Sequence, residues 1–307
     1  MSTPTLSRIE GVNAALLTAR HPGETRIDLA TTFELLDFLA ASGVRSIVLL
    51  GATGEFVHFD PEQRRRLVEL AVRRSRVPVM ASVGHSTLEG ALMLGRAAAA
   101  VGAAALLVTP PYFFRYRQTD IKECLLRFAA ELRGAAPILL YNLPGFTNEL
   151  SADTAAELLA TGLFAGIKDS SGRWDNFVTL KAARRRYGFS LLVGNDVLFR
   201  PARAAGADGV ISGCACAIPE LMLALERAIL NQDAERSELL DARLHEFIAW
   251  IDGFPAPFGI REAVAARGLK AGAHAIPLSA EQRQRLSQFR EWFQGWLPAV
   301  LKECHNT

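Results

Sequence analysis

The chain is poor in the features that most often announce a function. It has four cysteines in 307 residues (Cys124, Cys214, Cys216, Cys304), with no CxxC pair and no histidine cluster at zinc-ligand spacing. A disulfide scaffold and a zinc module are therefore excluded, and a reduced, cytoplasmic protein is the simplest expectation. No long run of one charge sign occurs and the net charge is +2. The short arginine clusters at 64–66, 73–76 and 184–186 have no interleaved aromatic residues, so they read as solvated helix faces and no nucleic-acid partner is expected. The start of the chain carries Arg8 and Glu10 and no apolar core of a signal peptide. Residues 97–114 are free of charge, but Gly102, Pro110 and Pro111 interrupt them. They read as a helix end followed by a buried strand, and no membrane span is expected. Lysine is scarce beside arginine: five of the 34 basic side chains are lysines.

What is present is a large apolar fraction, 50%, against 21% charged, enough for a sizeable core. Short runs rich in Val, Ile and Leu alternate with helical periodicity. Strands are expected at Asn13–Thr18, Ser46–Leu50, Val77–Val83, Ala104–Thr109, Pro137–Tyr141, Phe164–Lys168, Ser190–Gly194 and Gly209–Ser212. They lack strict in–out alternation, as strands covered on both faces do. Helices are expected between them, for example at Thr32–Ser42, Pro61–Ser75, Thr87–Val101, Ala152–Ala160 and Phe177–Tyr187. Asp60-Pro61, Ser86 before Glu89, and Ser151 before Thr154 supply start signals. Eight such units in about 220 residues predict an α/β fold, a (β/α)8 TIM barrel over residues 1–230, with a doubly wound sheet as the alternative. Past Pro219 only helical patterns remain, near Leu221–Asn231, Ala234–Asp252, Ile260–Arg267 and Ala280–Gly295. Residues 231–307 are expected to form a C-terminal helical extension packed on the barrel.

In such a barrel the active site collects at the C-terminal strand ends. Those ends hold Gly51-Ala52-Thr53-Gly54-Glu55, Tyr112-Phe113, Tyr141-Asn142-Leu143-Pro144, Lys168-Asp169-Ser170, Gly194-Asn195-Asp196 and Ile211-Ser212-Gly213. Lys168 is the sharpest of these, because a chain that otherwise prefers arginine uses lysine there. A desolvated lysine can lose its proton and attack a carbonyl, whereas arginine stays charged. The competing reading is a lysine reaching from a strand end to solvent.

In this order the motifs resemble the dihydrodipicolinate synthase and N-acetylneuraminate lyase family of pyruvate-dependent class I aldolases, over essentially the whole chain. The resemblance implies that Lys168 forms an imine with pyruvate or a related keto acid, and that no added cofactor or metal is needed. It implies that Tyr141 moves protons, and that Gly51, Ala52 and Thr53 form the turn that holds the substrate carboxylate through hydroxyl and N–H groups. Ile211 falls where a backbone carbonyl lines the keto-acid pocket, and Gly194 falls at the seventh strand end. Three positions depart from the family pattern. Ala52 replaces a relay threonine. Phe113 falls where a tyrosine reaches across from a neighbouring subunit. Phe146 stands where the lysine-pathway synthase holds an arginine for its second substrate's carboxylate.

The expected function is therefore a Schiff-base lyase acting on pyruvate or a 2-keto-3-deoxy acid, with an aldehyde as partner. The alternatives are the lysine-pathway synthase, a keto-deoxy acid dehydratase and a catalytically silent keto-acid-binding barrel. Arg20 and Arg173 are candidates for a distal carboxylate, although both read more simply as surface arginines. A metal-dependent aldolase is disfavoured because no two of the six histidines pair at ligand spacing; His58 and His85 are the two expected nearest the site. Family resemblance further implies a homo-oligomer, a dimer or a pair of dimers.

Overall fold

A computed structural model describes residues 8–305. Eight parallel strands close into a barrel in sequence order. They are β1 (Gly11–Ala15), β2 (Ser46–Leu49), β3 (Val79–Ser82), β4 (Ala105–Val108), β5 (Ile138–Asn142), β6 (Gly166–Asp169), β7 (Ser190–Val193) and β8 (Gly209–Ser212). Closure is made by β1, which pairs with β2 on one side and β8 on the other. The helices are α1 (Leu29–Ser42), α2 (Pro61–Arg74), α3 (Leu88–Ala100), α4 (Gln118–Glu131), α5 (Ala152–Ala160), α6 (Trp174–Tyr187), α7 (Phe199–Ala204) and α8 (Pro219–Leu230), followed by α9 (Ala234–Ile251), α10 (Phe258–Ala266) and α11 (Ala280–His305). The (β/α)8 barrel anticipated from the alternation is the architecture found. No helix among the described residues is long and apolar enough to cross a membrane.

Every strand but β1 is buried at every position. This is why the runs showed no alternation: both faces are covered, one by the barrel interior and one by helices. Interior positions carry Ala15, Val48, Met80, Leu107, Leu139, Tyr141, Leu192 and Ile211. The residues between them, such as Ile47, Leu106, Leu140, Ile167 and Val210, pack against the helices in a second core.

Several helix starts follow local chemistry. Asp60 accepts from Gln63 N at 2.8 Å with Pro61 at the first helical position, and Asp28 accepts from Thr31 N at 3.1 Å. The cap of α3 is Thr87 and not Ser86, since it is the Thr87 hydroxyl that accepts from Gly90 N at 3.2 Å. The last helix runs ten residues beyond the expected end at Gly295, through Pro298. Trp296, Val300 and Cys304 continue its buried stripe, and this burial outweighs the proline.

The C-terminal helices are fixed by an aromatic cluster of α9 and α11. Phe289 packs at ring distances of 5.6 to 6.3 Å from Phe247, Trp250, Phe254, Trp292 and Phe293. Phe247 and Trp296 stack at 5.9 Å. Full burial of one such ring contributes roughly 2–3 kcal/mol, so the cluster holds α9 firmly beside the strand ends.

Candidate active site

Parallel pairing places Tyr141 opposite Lys168, and Lys168 opposite Leu192. Tyr141 and Leu192 belong to the barrel interior, so Lys168 between them points inward as well. Its neighbour Asp169 points the other way, bonded by Asn142 at 2.8 Å and Ser171 at 2.7 Å. Burial raises the Asp169 carboxyl above the usual carboxylate range, against the pull of those two bonds. Lys168 is 4% exposed and Tyr141 1%, and Lys168 Nζ lies 3.1 Å from the Tyr141 hydroxyl and 4.2 Å from its ring centre.

Above this pair opens a cavity of about 340 Å³. Its floor is Lys168 and Tyr141, and its sides include Ala52, Thr53, Leu143, Phe146, Ser170, Gly194 and Asp196. Gly194 leaves Lys168 its space: a Cβ there would come within 2.7 Å of Lys168 Cε and meet the Ser170 hydroxyl, so both side chains would have to shift. Thr53 faces the β8 turn, where a Cβ on Gly213 would lie 3.1 Å from its hydroxyl. Gly51 backs onto Tyr141, so that a Cβ added to it would stand 3.9 Å from the phenol oxygen.

Among the described residues, Lys168 is the sole basic side chain on the cavity wall, while Asp196 and Asp252 are both on it. Burial raises the Asp196 carboxyl above its ordinary range, opposed by bonds from Ser212 and Cys214 and by the charge of Lys168. Burial likewise raises Asp252 and pushes the Cys214 thiol well up, with Asp196 adding to that push. The Oδ1 atom of Asp196 and the Ser170 hydroxyl are buried without a protein partner among the described residues. Both are polar atoms left open to a ligand.

Of the residues expected from the sequence, Lys168, Tyr141, Ala52, Thr53, Phe146 and Gly194 meet on this cavity. Ile211 is fully buried beneath it and does not line it. Phe113 is absent from the wall: it is 87% exposed, stacked edge-on with Phe114 at 5.1 Å. Neither candidate arginine reaches the cavity. Arg173 pairs with Glu149 at the surface. Arg20 is no surface arginine but 6% exposed, held by His58 Nδ1 at 3.0 Å and lying over Phe59. His85 is bonded to Thr87 at 3.1 Å and also stays off the wall.

Missed were Asp196, the open hydroxyl of Ser170, and the contribution of α9 and the α9–α10 connection, which bring Ile248, Ile251, Asp252 and Phe254 over the strand ends. The Gly194-Asn195-Asp196 run was a signal for Asp196. Nothing in the spacing of α9 marked its end as part of the site.

Comparison with known proteins agrees with this fold. A model of the dihydrodipicolinate synthetase family matches residues 8–294. A 4-hydroxy-tetrahydrodipicolinate synthase of Sorangium cellulosum is 33% identical over 281 residues, covering 88% of this chain and 90% of that one. An uncharacterized DapA-like lyase of Halobacterium salinarum is 31% identical over 273 residues, 88% of each chain. The solved 4-hydroxy-tetrahydrodipicolinate synthase of Methylacidiphilum fumariolicum SolV superposes with a TM-score of 0.87 at 26% identity, covering 96% of this chain and 99% of that one. The inward lysine–tyrosine pair on a closed barrel thus sits in a chain similar along nearly its full length to aldolase-type lyases, and the chain belongs to the dihydrodipicolinate synthetase family.

Proposed function

We propose that the chain is a Schiff-base lyase that cleaves, or forms, a 2-keto-3-deoxy acid from pyruvate and an aldehyde. The observation that carries this reading is Lys168 Nζ at 3.1 Å from the Tyr141 hydroxyl on the floor of a cavity. The neutral amine attacks the keto carbon, and loss of water leaves a protonated imine. The bond between the third and fourth carbons then breaks, its electron pair flowing into the imine to give an enamine. Tyr141 gives its proton to the water that departs as the imine forms, and the resulting phenolate takes the proton of the fourth-carbon hydroxyl as the aldehyde leaves. Reprotonation at the third carbon and hydrolysis release pyruvate and restore Lys168. Thr53 and the N–H groups of the 51–55 turn hold the keto-acid carboxylate. The imine is the electron sink, so no further cofactor enters the scheme.

The absence of a second cation from the wall favours an aldehyde without a carboxylate. Phe146 stands at the place where resemblance puts the synthase's arginine, and Lys168 is the sole basic side chain on the wall among the described residues. An anionic second substrate would lose a charge-assisted contact, on the order of 2–3 kcal/mol. The lysine-pathway reaction is therefore the weaker reading. In the same proposal the protein acts in the cytoplasm as a homodimer or homotetramer, with the exposed Phe113 and Phe114 at the subunit contact.

The test is pyruvate release from unphosphorylated 2-keto-3-deoxy sugar acids whose aldehyde half is uncharged, run beside a Lys168→Ala control. Release by the native chain alone supports lyase activity. No release from any of them, together with turnover of an aspartate-derived semialdehyde and pyruvate, would return the assignment to the synthase.

A further inference from the structure

We propose that Arg261, on α10 of the C-terminal helices, is a positioning residue for the turn that binds the keto-acid carboxylate, acting through Glu55. This inference rests on the imine reading above.

The turn between β2 and α2 is held in an unusual backbone. It is bracketed by Leu50 at φ 59° and Glu55 at φ 50°, both left-handed and neither glycine. Such conformations persist only where the surroundings over-determine them. Within the turn Glu55 N donates to Ala52 O at 3.0 Å, closing a loop with Thr53 at its tip. Gly54 is pressed so close that a Cβ would lie 2.9 Å from Leu50 N and 3.1 Å from Leu16 O. The position of Thr53 therefore follows the position of Glu55.

What holds Glu55 comes from 206 residues away in the chain. Its carboxylate takes the guanidinium of Arg261, with the two side chains 3% and 2% exposed. Arg261 also donates to Thr18 O at 3.3 Å and to Ala271 O, so it ties the β1 loop, the α10–α11 connection and the carboxylate turn at one point. His58 stands 3.3 Å from the same carboxylate and Arg20 stands 3.0 Å from His58, completing a charged cluster under the turn. A guanidinium buried this deeply is costly unless its partners require it, and packing alone would select leucine or methionine. None of these four side chains lines the cavity, so their effect on substrate passes through Thr53 and the turn's N–H groups.

The experiment uses the full chain and borohydride trapping as a function of pyruvate concentration, for Arg261→Met, Arg261→Lys, Glu55→Gln and the Glu55→Gln/Arg261→Met double variant. Half-saturating pyruvate is expected to rise about tenfold in Arg261→Met and in Glu55→Gln, as loss of one charge-assisted contact gives. The rise should be smaller in Arg261→Lys, and the double variant should be no worse than the poorer single one. The maximal trapping rate should stay near that of the native chain, because Lys168 and Tyr141 are untouched. Unchanged half-saturation in folded variants overturns the proposal, and so do additive losses. If Arg261→Met does not fold, Arg261→Lys and Glu55→Gln decide the question. If the native chain itself traps nothing, the imine reading fails separately. Hydrogen exchange of the Ala52–Glu55 amides then decides: faster exchange in Arg261→Lys supports the coupling, and native protection overturns it.

Discussion

Replacing Tyr141 with phenylalanine separates the chemistry of this residue from its packing. The ring lies in the barrel interior with Leu139, Leu192 and Ile211, and phenylalanine refills that volume without a cavity. The change removes one oxygen, the side-chain partner of Lys168 Nζ at 3.1 Å. Lys168 is 4% exposed, so losing that partner should cost stability of about 1–3 kcal/mol, which lowers Tm by several degrees. The catalytic effect should be larger. If the phenol carries the proton between the breaking carbon–carbon bond and the leaving aldehyde, its loss should lower kcat by roughly 100- to 10,000-fold. That corresponds to about 2.7–5.4 kcal/mol in transition-state free energy. KM for the keto acid should change little, because the carboxylate turn is intact. The assay is steady-state pyruvate release, with melting curves and borohydride trapping on the same preparation. A Tyr141→Phe protein that melts near the native temperature and keeps the native kcat would refute the proton-transfer role.

Gly194→Ala should abolish trapping at Lys168 while costing only about 1–3 kcal/mol of stability, since the added methyl meets Lys168 Cε at 2.7 Å; mass spectrometry and a melting curve check both halves. Asp196→Asn should change how stability depends on pH. Burial raises the Asp196 carboxyl in the folded chain, so above the ordinary carboxylate value of about 4 the folded state holds a proton that the unfolded state has released. Its contribution is complete at low pH and is lost as pH rises through the folded value, and the asparagine variant should lack that decline in a Tm series. Phe289→Ala, at the centre of the aromatic cluster, should cost about 3–5 kcal/mol and loosen the α9 wall of the cavity, read by denaturant unfolding and by a weaker KM. Arg173→Ala should leave kcat/KM unchanged and stability within about 0.5 kcal/mol, because its pair with Glu149 is exposed.

The barrel was legible because buried parallel strands are written as short aliphatic runs, and all eight fall where those runs lie. Their ends were less so: residues 16–18 extend the first apolar run beyond β1, Leu16 keeping one bond to Val48 O and all three remaining buried. Helix α4 was implied by the eight units but its bounds were not read from the sequence, though Ile121, Leu125 and Phe128 have helical spacing. It follows a proline-and-aromatic stretch, and its cap residue is Arg117, which carries none of the usual capping chemistry. The candidate site was legible where its chemistry is rare, as at Lys168 and Tyr141. It was illegible where distant chain meets it. Asp252 and Ile251 at the end of α9 reach the cavity only because the aromatic packing of α9 on α11 puts them there. Phe113 illustrates the opposite case, a residue placed by resemblance at a neighbouring subunit that lies exposed on the single chain.

The proposed chemistry turns on a covalent imine at one nitrogen. Borohydride reduction in the presence of pyruvate, followed by peptide mass spectrometry, tests it most directly. A reduced pyruvate adduct is expected on the peptide containing Lys168 and none in Lys168→Ala. An adduct on another lysine, or no adduct with pyruvate and longer 2-keto acids, would contradict the imine mechanism and leave a keto-acid-binding barrel as the better description.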